Sequence, residues 1–114
     1  MKVAVIGSRR IGKIDFSYYL PKECDEIVSG GAKGVDTYAA EYARKNGIKL
    51  TELLPQYEVY GRAAPIVRNH QIVEYADEVL AFWDGSSKGT LSVIRYCGKT
   101  NTPCRIIRMA DEPK

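Results

Sequence analysis

Histidine occurs once in this 114-residue sequence, at His70, and cysteine three times, at Cys24, Cys97 and Cys104. An odd number of cysteines with no metal-ligand spacing argues against a disulfide framework and against a zinc motif. They read as small apolar residues in a reducing compartment. Nothing local pairs a cysteine with His70, so a Cys-His nucleophile has no support. Long apolar runs are also lacking: none approaches the roughly 18 residues that a membrane-spanning helix needs. Met1-Lys2-Val3-Ala4-Val5-Ile6-Gly7 reaches its glycine too soon for a signal peptide and reads as a strand. A cytoplasmic location with no membrane partner is the default expectation. Charge of one sign is scarce as well. The formal net charge is +3 and the sequence pI about 8.8. That permits an anionic ligand but falls short of the strongly basic footprint of a nucleic-acid binder. Repeats and Pro/Gly-rich linkers are absent, so one domain over residues 1–110, followed by a loose tail at 111–114, is expected. A chain of this length can bury roughly two-thirds of its unfolded surface, enough for one core without staples.

What the chain does have is a regular alternation of apolar runs and helical patterns. Lys2–Ile6, Asp25–Ser29, Lys49–Leu54, Glu78–Trp83 and Pro103–Ile107 read as strands. Val3 to Ile6 is apolar without interruption, as in a strand covered on both faces. Between the strands, helices are predicted over Ile14–Leu20, Val35 to about Asn46, Ile66 to about Tyr75, and Thr90 to about Tyr96. Asn46-Gly47 suits the end of the second helix, Gly98 the end of the fourth, and Pro65 the first turn of the third. Ile66, Ile72, Val73 and Ala76 form the apolar side of the third helix. Tyrosines on the second helix would serve a homo-oligomer face. The pattern argues for an α/β fold: a Rossmann-like three-layer α/β/α domain with about five parallel strands in the order 3-2-1-4-5. In such a sheet ligands bind beyond the carboxyl ends of the strands where the order reverses, here between strands one and four.

Three glycine-containing loops are expected at that edge. Glu26-Ile-Val-Ser-Gly-Gly-Ala-Lys-Gly-Val-Asp36 joins a strand to a helix start through Gly30, Gly31 and Gly34. Backbone N–H groups in such a turn favour an anion, and Lys33 would sit nearby. The spacing is not that of the dinucleotide fingerprint. Asp36 would bind ligand hydroxyls or favour the helix start electrostatically. Asp84-Gly85-Ser86-Ser87-Lys88-Gly89-Thr90 forms a second cradle, with hydroxyl donors at Ser86, Ser87 and Thr90. Asp84 would accept from a ribose or lie exposed. Gly7-Ser8-Arg9-Arg10-Ile11-Gly12-Lys13 nearly spells a P-loop, but Ile14 stands where a hydroxyl must hold magnesium. A simpler role is expected: Gly7, Ser8 and Arg9 face the crevice, with the arginine fork available to phosphate. Arg68-Asn69 lies inside the third helix, where an asparagine suggests a specific contact. Trp83 and Tyr60 would stack on a base or, as aromatics more often do, pack in the core. A response-regulator receiver is set aside, because it needs paired acids after strand one and this chain has Gly7-Ser8-Arg9.

Gly7-Ser8-Arg9, Ser29 to Asp36, Val67-Arg68-Asn69, Tyr75 to Phe82 and Gly85 to Thr90 together resemble the SLOG superfamily. That group includes the LOG phosphoribohydrolases and the DNA-processing protein A family; the resemblance points to its small YspA-like branch. It covers the chain from Met1 to about Ile107. It implies a Rossmann-like domain that binds nucleotides or nucleotide-derived ligands. By position, Gly30, Gly31 and Gly34 match the family's first glycine loop, Arg68 the pocket arginine, and Gly89-Thr90 the phosphate-binding Gly-Thr. The phosphoribohydrolases carry a catalytic glutamate three residues after that threonine, and its place here is Val93. A valine cannot act as general acid or base, so Asp36 or Asp84 would have to replace it. The expected function is binding of a nucleotide or nucleotide-derived ligand, as in a sensor, with no metal and no cofactor required. N-glycosidic hydrolysis of a nucleoside monophosphate and nucleic-acid binding are the alternatives.

Overall fold

A computed structural model describes residues 1–109; the tail at 111–114 lies outside them. Five strands, β1 (Lys2–Gly7), β2 (Glu26–Ser29), β3 (Lys49–Glu52), β4 (Glu78–Trp83) and β5 (Cys104–Arg108), form one sheet. Its order is β3-β2-β1-β4-β5 and all neighbouring pairs run parallel. The helices are α1 (Val35–Lys45), α2 (Tyr57–Tyr60), α3 (Ala64–Tyr75) and α4 (Lys88–Thr100). Strand order and helix placement are those of a Rossmann-like α/β/α domain.

The apolar strand runs explain the layering, because successive side chains point to opposite faces. Val3, Val5, Ile27, Leu80 and Phe82 face one side, where Val35, Ala39 and Ala43 of α1 pack with Phe16, Ile11 and Ile14. Ala4, Ile6, Val28, Val79 and Ala81 face the other, against Ile72 and Val73 of α3 and Val93 and Cys97 of α4. Burying both faces is what turns the alternating pattern into continuous apolar strands. Among the described residues no helix is long and apolar enough to cross a membrane.

Several local expectations need correction. The helix expected over Ile14–Leu20 is a single 3-10 turn, Phe16–Tyr18, capped by Asp15. The loop from Gln56 contains α2 and a second 3-10 turn, Gly61–Ala63. Gly98 does not end α4: the helix runs on to Thr100 and stops at Asn101, which adopts the left-handed conformation with φ 57°. A glycine in a last, exposed turn costs little, whereas an asparagine in that conformation turns the chain out of the helix. Ile66 is exposed rather than on the buried side of α3. Tyr38 and Tyr42 are partly buried against the core beside Phe16, so α1 does not present the tyrosine face expected of it.

Candidate functional site

At the carboxyl edge of the sheet, where the order reverses between β1 and β4, lies a cavity of about 460 Å³. Its volume falls in the range of small-molecule sites. Ile6, Ile72 and Val93 form an apolar floor. Around them stand the ends of three loops and the first turns of three helices.

The loop after β1 supplies one wall. Ser8 is buried; its N–H donates to the Phe82 carbonyl at 3.0 Å. Its hydroxyl accepts from the Asp84 N–H at 3.2 Å. Ser8 therefore ties the loops after β1 and β4 together. Gly7, Arg9 and Arg10 also line this wall.

The loop after β2 is held from both sides. Gly34 has φ 80°, and a Cβ there would stand 2.6 Å from the Arg9 carbonyl oxygen. Only glycine lets these two backbones meet. Asp36, in the first turn of α1, reaches back to accept from the Ala32 N–H at 3.0 Å. It is 7% exposed, and burial pushes its carboxyl above the ordinary aspartate range against the opposing pull of that hydrogen bond and of Arg68. Arg68, from α3, braces the same loop. Its Nη1 donates to the Gly30 carbonyl at 2.6 Å and its Nε to Asn69 Oδ1 at 2.9 Å. A Cβ on Gly30 would sit 2.5 Å from Nη1, so this glycine makes room for the guanidinium.

The loop after β4 leads into α4. Asp84 Oδ1 accepts from the Ser86 and Ser87 N–H groups, both at 2.8 Å. These bonds hold its carboxyl below the ordinary aspartate range, with the Ser8 hydroxyl adding to the effect. Ser87 caps α4, its hydroxyl accepting from the Thr90 N–H at 3.4 Å. The Lys88 and Gly89 N–H groups have no partner among the described residues. The first turn of a helix directs such groups outward along its axis.

Of the residues expected at the site, Gly7, Ser8, Arg9, Gly30, Asp36 and Arg68 line the cavity. So do Asn69, Asp84, Ser87, Gly89 and Thr90. Gly31, Lys33, Gly34, Gly85, Ser86 and Lys88 do not. Gly31 lies under the Leu54 side chain, Gly34 against Arg9, and Gly85 against Arg108, while Lys33 is exposed and Lys88 belongs to an outer groove with His70 and Tyr96. Trp83 and Tyr60 are also outside the lining; the Trp83 Nε1–H donates to the Ser87 carbonyl at 3.1 Å. Arg10, Ala32 and Pro65 join the lining without having been expected, as do Ile6 and Ile72, while Val93 lines it at the place that the resemblance gives to a glutamate. Arg10 follows Arg9 in a loop already placed at this edge, and Ile6 is the last apolar residue of β1; both were within reach of the sequence. Among the described residues no three His, Cys, Asp or Glu side chains gather as a metal site would require.

Comparison of the chain with protein-family models, with curated proteins and with solved structures returns no match. Function must therefore be argued from the cavity itself.

Proposed function

We propose that the cavity binds a nucleotide or a nucleotide-derived small molecule. Its phosphate is met by Arg9, Arg10 and the start of α4, and its hydroxyl or amino groups by Asp36 and Asn69. One observation carries this reading: a single cavity gathers cationic groups suited to an anion together with acceptors suited to hydroxyl or amino groups. Arg9, Arg10 and the open N–H group of Gly89 favour an anion. Asp36 and Asn69 offer acceptors for hydroxyl or amino groups. The resemblance to the SLOG superfamily supports the same ligand class.

Differential scanning fluorimetry with nucleoside monophosphates, free nucleosides, cyclic dinucleotides and inorganic phosphate tests the proposal. At least one nucleoside phosphate should raise the melting temperature at millimolar concentration. Arg9→Ala should shrink that rise. No shift from any compound overturns the reading.

A second reading is cleavage of the N-glycosidic bond of a nucleoside monophosphate. What favours it is Asp36, a cavity-wall carboxyl whose raised pKa suits a general acid. It would protonate the leaving base while water adds to the anomeric carbon of the sugar. Asp84 is the poorer candidate, because its carboxylate is spent on backbone N–H groups. Val93, 2% exposed on the cavity floor, offers nothing in place of the family's glutamate. Free base released from a nucleoside monophosphate, and lost in Asp36→Asn, would establish this activity. Absence of base release from every nucleoside monophosphate removes it.

A further inference from the structure

The segment between β3 and α3 is built unlike the rest of the chain. Every residue from Gln56 to Ala63 is exposed, and neither α2 nor the 3-10 turn after it buries a residue. α2 packs chiefly on that turn and on α3, its neighbours in sequence. A single helical turn does not hold in water on its own. Yet the side chains here are apolar: Leu54 is 60% exposed, Tyr57 60%, Val59 68%, Tyr60 41% and Ile66 53%. Five apolar side chains this exposed within thirteen residues of sequence mark an interaction surface.

Its charges say what covers it. Glu58 and Arg62 are the only charged residues between Glu52 and Arg68. They lie four apart, and neither forms an ion pair among the described residues. A uniformly acidic or basic partner would leave one of them unmatched. A second copy turned about a two-fold axis matches both, Glu58 of each copy meeting Arg62 of the other. The five apolar side chains, at about half exposure, offer on the order of 500 Å², against about 800 Å² per partner in a standard interface. Tyrosine is enriched at such surfaces.

We infer that residues 54–66 form a two-fold interface between copies of this chain, with Tyr57, Val59 and Tyr60 at its centre and the Glu58–Arg62 pairs at its rim. The interface borders the cavity, since Pro65 is part of the lining. It does not depend on what the cavity holds.

Sedimentation velocity on the full chain without ligand, over a wide range of concentration, tests this. The expected species has twice the 12.7 kDa chain mass. Val59→Asp should give a monomer. Glu58→Arg and Arg62→Glu should each weaken the dimer by about tenfold or more, and the two together should restore it. Circular dichroism of each variant reports that the exposed substitutions leave the fold intact. A monomer at every concentration, or a dimer that Val59→Asp and both charge variants leave unchanged, overturns the inference.

Discussion

Asp36 and Asp84 close the two glycine-rich loops in the same way, each accepting from backbone N–H groups, yet their carboxyls are pushed in opposite directions. Asp84 receives two N–H groups at a half-open helix entrance and is stabilised as an anion. Asp36 receives the Ala32 N–H inside the protein, where burial outweighs what that bond and Arg68 supply. An aspartate after the glycines and one before them thus build unequal loops. The one after β2 is a closed structural joint with a reluctant charge. The one after β4 leaves the Gly89 N–H without a partner at the cavity wall.

The sharpest way to break this contrast is to add a methyl group to each loop. Gly34→Ala puts a side chain at φ 80° against the Arg9 backbone and should cost about 2–4 kcal/mol in urea unfolding. If the cost were near zero, the loop after β2 would not be the rigid joint described. Asp84→Ala comes next, with an expected loss of about 1–2 kcal/mol as the Ser86 and Ser87 N–H groups lose their acceptor.

A pH series on two conservative variants sharpens the comparison further. Asp84 has a depressed pKa, so its contribution is complete above the ordinary aspartate value. That contribution is lost as pH falls through the lower folded value. Asp36 has a raised pKa, so between the ordinary and the folded values the native state holds more protons than the unfolded chain. Its contribution therefore declines as pH rises through that window. Asp36→Asn keeps an oxygen acceptor and removes the buried charge. It should raise the melting temperature by a few degrees at neutral pH and flatten the profile on its acid side. Asp84→Asn should lower the neutral-pH melting temperature. Identical profiles for the two variants would erase the distinction.

The smallest expected effect is at Gly89, where a Cβ would meet nothing within 4 Å. Gly89→Ala should change stability by about 0.5 kcal/mol or less, while weakening the binding of a nucleoside phosphate measured by calorimetry. A variant that binds as the native chain does would show that no ligand approaches the backbone there.

Much of the fold was legible because it rests on signals that survive without coordinates. Val3–Ile6 and Val79–Phe82 are unbroken apolar runs, and their spacing around helical patterns leaves few topologies. The edge at which the loops converge follows from strand order alone. Direction within a loop does not. Gly31 and Gly34, with φ 69° and 80°, turn the chain so that Lys33 points to solvent while Gly30 and Asp36 face the cavity. Composition carries no trace of such reversals. Exposure of Ile66 was equally hidden, because helical spacing assigns a face but cannot say that the face ends before the first turn. The state of the two aspartates depends on depth and on neighbours such as Arg68, which come from elsewhere in the chain.

The contact of the Arg9 carbonyl with Gly34 has a consequence for engineering. Because the two backbones touch, the lengths of the segments after β1 and β2 are matched to one another. An insertion between Gly7 and Ile11 would lift Arg9 off its seat and unseat the start of α1 with it. Transplanting one of these segments from another protein would therefore succeed only if the other were exchanged alongside it.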